Sequence, residues 1–172
     1  MRRYILGSAL VLTVALWTGS AQALTLVTCS GTDQVHFSPG LTYQQQTVAL
    51  SGQDSGTCFS LTNPSLHSVT DPFGGTVPLS CDALTTSGVQ ATETLYWNGG
   101  TTLTSQWDNT NYIEFVNGNL VSILTGPITS GTLAGATLTL TVTMLASRLD
   151  ACSQPGGLED LSGPATWVFT GL

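Results

Sequence analysis

Apolar and polar residues alternate along most of this chain, and the alternation is cleanest in "ATLTLTVTM" (Ala136–Met144). Leu138, Leu140, Val142 and Met144 fall on one face, and Thr137, Thr139, Thr141 and Thr143 on the other. Period two is the signature of a strand with one buried face, and β-branched threonine suits the wet side of a pleat. The same reading turns Val35 and Phe37 of "DQVHFS" inward and His36 and Gln34 outward. It buries Val48 and Leu50 of "QTVALS", then Val77, Leu79 and Cys81 of "TVPLSC", then Trp167 and Phe169 of "TWVFT". Pro78 marks its strand as an edge, because proline has no N–H to give to a ladder.

Two hairpins can be placed in register by matching apolar to apolar. A loop of Asn98-Gly99-Gly100 sets Trp97 against Thr101 and Leu95 against Leu103. A loop of Asn117-Gly118-Asn119 sets Phe115 against Val121 and Ile113 against Ile123. No segment carries a helical period. Short strands separated by Gly, Pro and Asn turns predict an all-β domain. The expected fold is an antiparallel β-sandwich, with the immunoglobulin-like form one version of it, built from roughly eight to ten strands. Two long connections interrupt the pattern, at 60–75 and at 146–164, and loops of that length in a compact domain are usually functional or disordered.

The N-terminus changes the compartment. Arg2 and Arg3 precede an apolar run, Ile5 to Trp17, and Ala21-Gln22-Ala23 has the small residues of a signal-peptidase site. Residues 1–23 therefore read as a signal peptide and 24–172 as one exported domain, secreted to the extracellular side. No later run reaches the ~20 apolar residues of a membrane-spanning helix.

Charge then narrows the partners. The chain has three basic residues, ten acids and no lysine, and losing Arg2 and Arg3 takes its formal charge from −7 to −9. With Arg148 the sole cation left, nucleic acid is excluded, since phosphate binding needs several Lys or Arg. Four cysteines, Cys29, Cys58, Cys81 and Cys152, predict two disulfides in an oxidising compartment, and no C-x-x-C pair suggests a metal instead. Of the three possible pairings the expected one is Cys29–Cys81 with Cys58–Cys152.

Several short stretches carry turns and three of the four cysteines: "TCSGTDQVHFSPGLT", "LSC", "YWNGGTTLTS", "TGPITSGTLAGATL" and "ACSQPGGLEDLSGPATWVF". In these the chain resembles a family of small secreted actinobacterial proteins, rich in Thr, Ser and Gly and of unknown function. The resemblance implies an extracellular β-sandwich and transfers no catalytic residue. The family's usual "YSPGLT" wording is replaced here at His36-Phe37.

Candidate chemistry is sparse. "QDSG" (53–56) shares its order with the nucleophile loop of trypsin-like proteases but lacks the second glycine, and Ser55 reads as part of a turn. His36 reads as a solvated strand residue. Asp108, Asn109 and Asn111 in "WDNTN" could offer oxygens to calcium, but no D-x-D-x-D-G loop accompanies them. Trp97, Trp107, Tyr96, Tyr112 and Tyr43 could form a sugar-stacking strip, although parity puts both tryptophans in the core. No catalytic set, metal site or cofactor is expected.

The expected binding surface follows from the assumed Cys58–Cys152 bridge, which would tie the two long loops together. That would gather Leu66, His67, Asp71, Phe73, Arg148, Asp150, Glu159 and Asp160 on one rim. The first expectation is therefore a non-catalytic binding or cell-surface protein, with cell-wall material as one class of partner. The alternatives are a carrier of an apolar small molecule, similar in composition to the enediyne-sheltering chromoprotein apoproteins, and then a hydrolase.

Overall fold

A computed structural model describes residues 24–171; the signal-peptide reading of 1–23 lies outside them. Eight strands run in chain order: β1 (Leu24–Leu41), β2 (Gln46–Phe59), β3 (Ser68–Leu79), β4 (Gln90–Trp97), β5 (Thr104–Val116), β6 (Asn119–Gly131), β7 (Thr137–Leu145) and β8 (Leu158–Gly171). Each pairs antiparallel with the next, and β1 pairs with β8, so the sheet closes into a barrel. The all-β, antiparallel, two-disulfide expectation holds. The sandwich does not, because one sheet curls until its first and last strands meet. Alternation cannot distinguish the two, since both bury one face of every strand.

Most of the face assignments hold. Leu138, Leu140, Val142, Val48, Phe37, Trp167 and Phe169 are buried, while His36 and Gln34 point outward. Val77 is an exception at 36% exposed, because the upper half of β3 has lost its partner on one side. The β3–β4 ladder consists of Val69–Trp97 and Thr70–Tyr96 alone. Above that level the barrel wall has an unpaired seam, and Pro72 and Pro78 sit on its free edge, as the edge reading of Pro78 anticipates.

Both hairpin registers differ from expectation. Asn117 and Gly118 each adopt positive φ, giving a two-residue turn that pairs Val116 with Asn119 and Phe115 with Leu120. In the other hairpin Trp97 faces Leu103, and Leu95 faces Ser105. Asn98 is diverted from a tight hairpin: its Oδ1 accepts from the His67 N–H at 3.0 Å and its Nδ2 donates to the Ser65 carbonyl at 2.8 Å. The turn thereby holds the β2–β3 connection. That connection is only 60–67, since 68–75 belongs to β3 rather than to a long loop. The second long connection is likewise shortened, by a 3-10 segment at Ala146–Ser153 and by the early start of β8.

The disulfides join Cys29 to Cys58 and Cys81 to Cys152, correcting the expected pairing. Register explains the first, because Cys29 and Cys58 are directly opposed on β1 and β2. The second crosses the upper end, linking the 3-10 segment Cys81–Thr85 to the one at Ala146–Ser153.

The lower end is plugged by Leu66, Leu95, Trp97, Trp107, Trp167 and Phe169. Trp167 lies across β2 at Gly56, where a Cβ would approach the indole to 2.7 Å. Trp97 Nε1 donates to Ser105 Oγ at 2.9 Å, both groups being fully buried. Ser105→Ala should orphan that indole N–H and cost about 1–3 kcal/mol in urea unfolding.

Candidate functional site

Above the plug the barrel interior is not filled. A cavity of about 370 Å³ lies between the lower core and the upper cluster of Phe37, Leu41, Val48 and Leu161. Its walls are mainly apolar: Val35, Leu50, Phe73, Leu124, Leu140, Val142 and Met144 from the strands, with Leu84 and Val89 from the β3–β4 connection. Phe73 lies over Gly52, whose missing side chain makes room for the ring. The size is at the small end of the ~300–1,000 Å³ typical of small-molecule sites.

Its polar floor is acidic. Asp33 on β1 is directly opposed to Asp54 on β2, and Asp54 to Asp71 on β3. Glu93 on β4 continues the row, and Asn109 on β5 donates to Glu93 Oε2 at 3.0 Å. Asp33, Asp54 and Asp71 are only 4%, 5% and 1% exposed. Asp54 Oδ1 and both carboxyl oxygens of Asp71 have no donor partner.

Burial governs their protonation. It raises Asp54 to about 9, helped by the charges of Asp33, Asp71 and Glu93. It raises Asp71 to about 8, with the neighbouring Glu93 adding to the effect. Asp33 and Glu93 are also raised by burial, partly offset by hydrogen bonds from Asp54 and from Asp71 and Asn109. At neutral pH the row therefore stores protons on Asp54 and Asp71.

No protein-family model, curated protein or solved structure matches this chain.

The expected rim does not assemble, because its premise, a Cys58–Cys152 bridge, is absent. Leu66 is buried in the lower plug and His67 is exposed beside it. Asp71 and Phe73 belong to the barrel interior. Arg148, Asp150, Glu159 and Asp160 remain outside at the upper end, where Arg148 Nη2 donates to the Asp160 carbonyl at 3.3 Å. Arg148, Glu159 and Asp160 share a shallow surface groove.

His36 is solvent-facing, as expected, but not alone: its Nδ1 lies 2.8 Å from Asp160 Oδ1. Ser51, His36 and Asp160 are opposed on β2, β1 and β8, which is the order of a nucleophile, base and orienting acid. All three are exposed on the outer wall and Ser51 makes no hydrogen bond to the imidazole, so the row lacks the activated serine that such chemistry needs.

Ser55 lies inside β2 rather than in a turn. The "WDNTN" oxygens diverge, since Asp108 accepts from Thr92 on the outside while Asn109 faces the interior. Asn111 holds the β3–β4 connection through Val89 N–H and the Thr86 carbonyl. Trp97 and Trp107 are core residues, leaving Tyr43 and Tyr112 exposed without a tryptophan platform.

Along the sequence the acids look scattered. The signal was nevertheless present, since Asp33, Asp71 and Glu93 each share parity with apolar neighbours: Val35 and Phe37, Val69 and Phe73, Leu95 and Trp97.

Proposed function

We propose that this protein is an exported, non-catalytic carrier that holds a small, largely apolar molecule inside its barrel. The observation that carries the reading is the apolar cavity above the tryptophan plug. The interior keeps a space walled by leucine, valine and methionine, a state that costs stability unless a ligand fills it. The seam between β3 and β4 offers a route inward, with Phe73, Leu84 and Val89 beside it. Export through residues 1–23 is part of the proposal. The two disulfides support it, because such bonds persist in oxidising compartments.

Titration of the oxidised protein with an environment-sensitive apolar dye tests the reading. One dye should bind per barrel, and Leu124→Trp, which pushes a ring into the cavity, should weaken binding about tenfold or more while far-UV circular dichroism stays unchanged. Non-saturable binding, or binding indifferent to Leu124→Trp, would overturn it.

A further inference from the structure

The chemistry of the ligand can be read one step further from what the cavity floor lacks. Carboxyl groups reach the interior from four consecutive strands: Asp33 from β1, Asp54 from β2, Asp71 from β3 and Glu93 from β4. The polar groups facing them from the remaining wall are Asn109 and Asn111 on β5 and Ser122 on β6; Leu140 and Val142 of β7 and Leu161 of β8 are apolar. Among the described residues no cation faces the row. The chain has no lysine, and Arg148, His36 and His67 are on the outer surface. Buried carboxylates are normally paired with a cation or well supplied with donors. Here Asp54, on the cavity wall and 5% exposed, keeps an oxygen without any donor, and the adjoining Asp71 keeps two.

We propose that the bound molecule carries an ammonium group that seats on Asp54 beside the opposed Asp33, with its apolar part against Leu50, Leu124 and Leu140. The inference rests on the carrier reading. An ammonium brings three donors and a positive charge to a site in which, among the described residues, only the Asn109 amide donates to a carboxylate, whereas a hydroxyl brings one donor and no charge. A metal ion is the other cation to consider, but among the described residues no three acidic, histidine or cysteine side chains are placed to hold one. The apolar walls also suit an alkyl or aryl body, which a metal ion does not have.

Binding has a proton consequence. Burial keeps Asp54 and Asp71 protonated near neutrality. An arriving ammonium replaces a stored proton, which leaves to buffer, so amine affinity should rise between pH 6 and pH 9.

Calorimetry of the oxidised protein with octylamine, octanol and octanoate at pH 8 tests the proposal. Octylamine should bind about tenfold or more tighter than octanol, with octanoate weakest. Its heat should vary with the ionisation enthalpy of the buffer, while that of octanol should not. Asp54→Asn should reduce the affinity for octylamine to about that for octanol and leave octanol unchanged. If octanol or octanoate binds as tightly as the amine, or if the dye binds and octylamine does not, the ammonium is overturned and the carrier reading stands. If neither the dye nor any octyl compound binds, both fall.

Discussion

Raising the pH from 5 to 9 is expected to destabilise the oxidised protein steeply, the reverse of a protein held together by ion pairs. In the unfolded chain Asp54 and Asp71 release their protons near 3.8, but in the barrel they keep them to about 9 and about 8. Between those limits the folded state binds more protons than the unfolded one. Stability is therefore greatest below the unfolded value and is lost as pH climbs through the folded values, by about 1.4 kcal/mol per pH unit for each such group. Asp33 and Glu93, also raised, act in the same direction. Thermal unfolding between pH 5 and pH 9 reads the effect. Asp71→Asn keeps the shape and can donate to Glu93, so it should flatten the slope and raise Tm at pH 9 by about 5 °C or more. A midpoint that rises toward pH 9 would mean the acids are not inside.

Loss of the Cys81–Cys152 bridge should have an effect of similar size. It closes a separation of 71 residues, worth about 4 kcal/mol on chain-entropy grounds, or about 10 °C in Tm for a domain of this size. It also has a local role, because Leu84, on the bridged segment Cys81–Thr85, lines the cavity. Replacing both Cys81 and Cys152 by serine should therefore lower Tm and weaken dye binding together. The matching double serine variant of Cys29 and Cys58 severs a bridge between strands already paired below the cavity. It should lower Tm while leaving dye affinity within about twofold. Equal losses of affinity in the two variants would contradict the placement of the cavity.

How much of this could be read from residues alone depends on which physical rule each feature obeys. Strand faces were legible because alternation is local: "ATLTLTVTM" declares its buried side whatever its neighbours are. Closure was not, because whether β8 returns to β1 depends on the accumulated coil of the whole sheet. The disulfide pairing failed for the same reason, since Cys29 meets Cys58 only once the register of β1 on β2 is known. With the pairing went the expected rim, and with the rim went a binding surface made of loops.

The acid row lies between these cases. Asp33, Asp71 and Glu93 carry the parity of the core, a local signal that something unusual points inward. That Asp33 and Asp71 line up with Asp54 across three strands is a fact of register, and Glu93 joins them across the unpaired seam. The hairpin registers differ by a residue or two from those given by matching apolar pairs and placing glycine at a bulge. The two-residue Asn117-Gly118 turn obeys its own backbone preference instead, leaving Phe115 61% exposed.

The measurement closest to the central claim is methyl NMR of the oxidised protein during titration with octylamine. The account predicts saturable shifts in the methyl groups of Leu50, Leu124, Leu140, Val142 and Met144, with intermolecular contacts from the octyl chain to the same groups. Shifts confined to outward-facing methyls such as those of Leu145 and Val116, with the interior set unmoved at saturation, would contradict it.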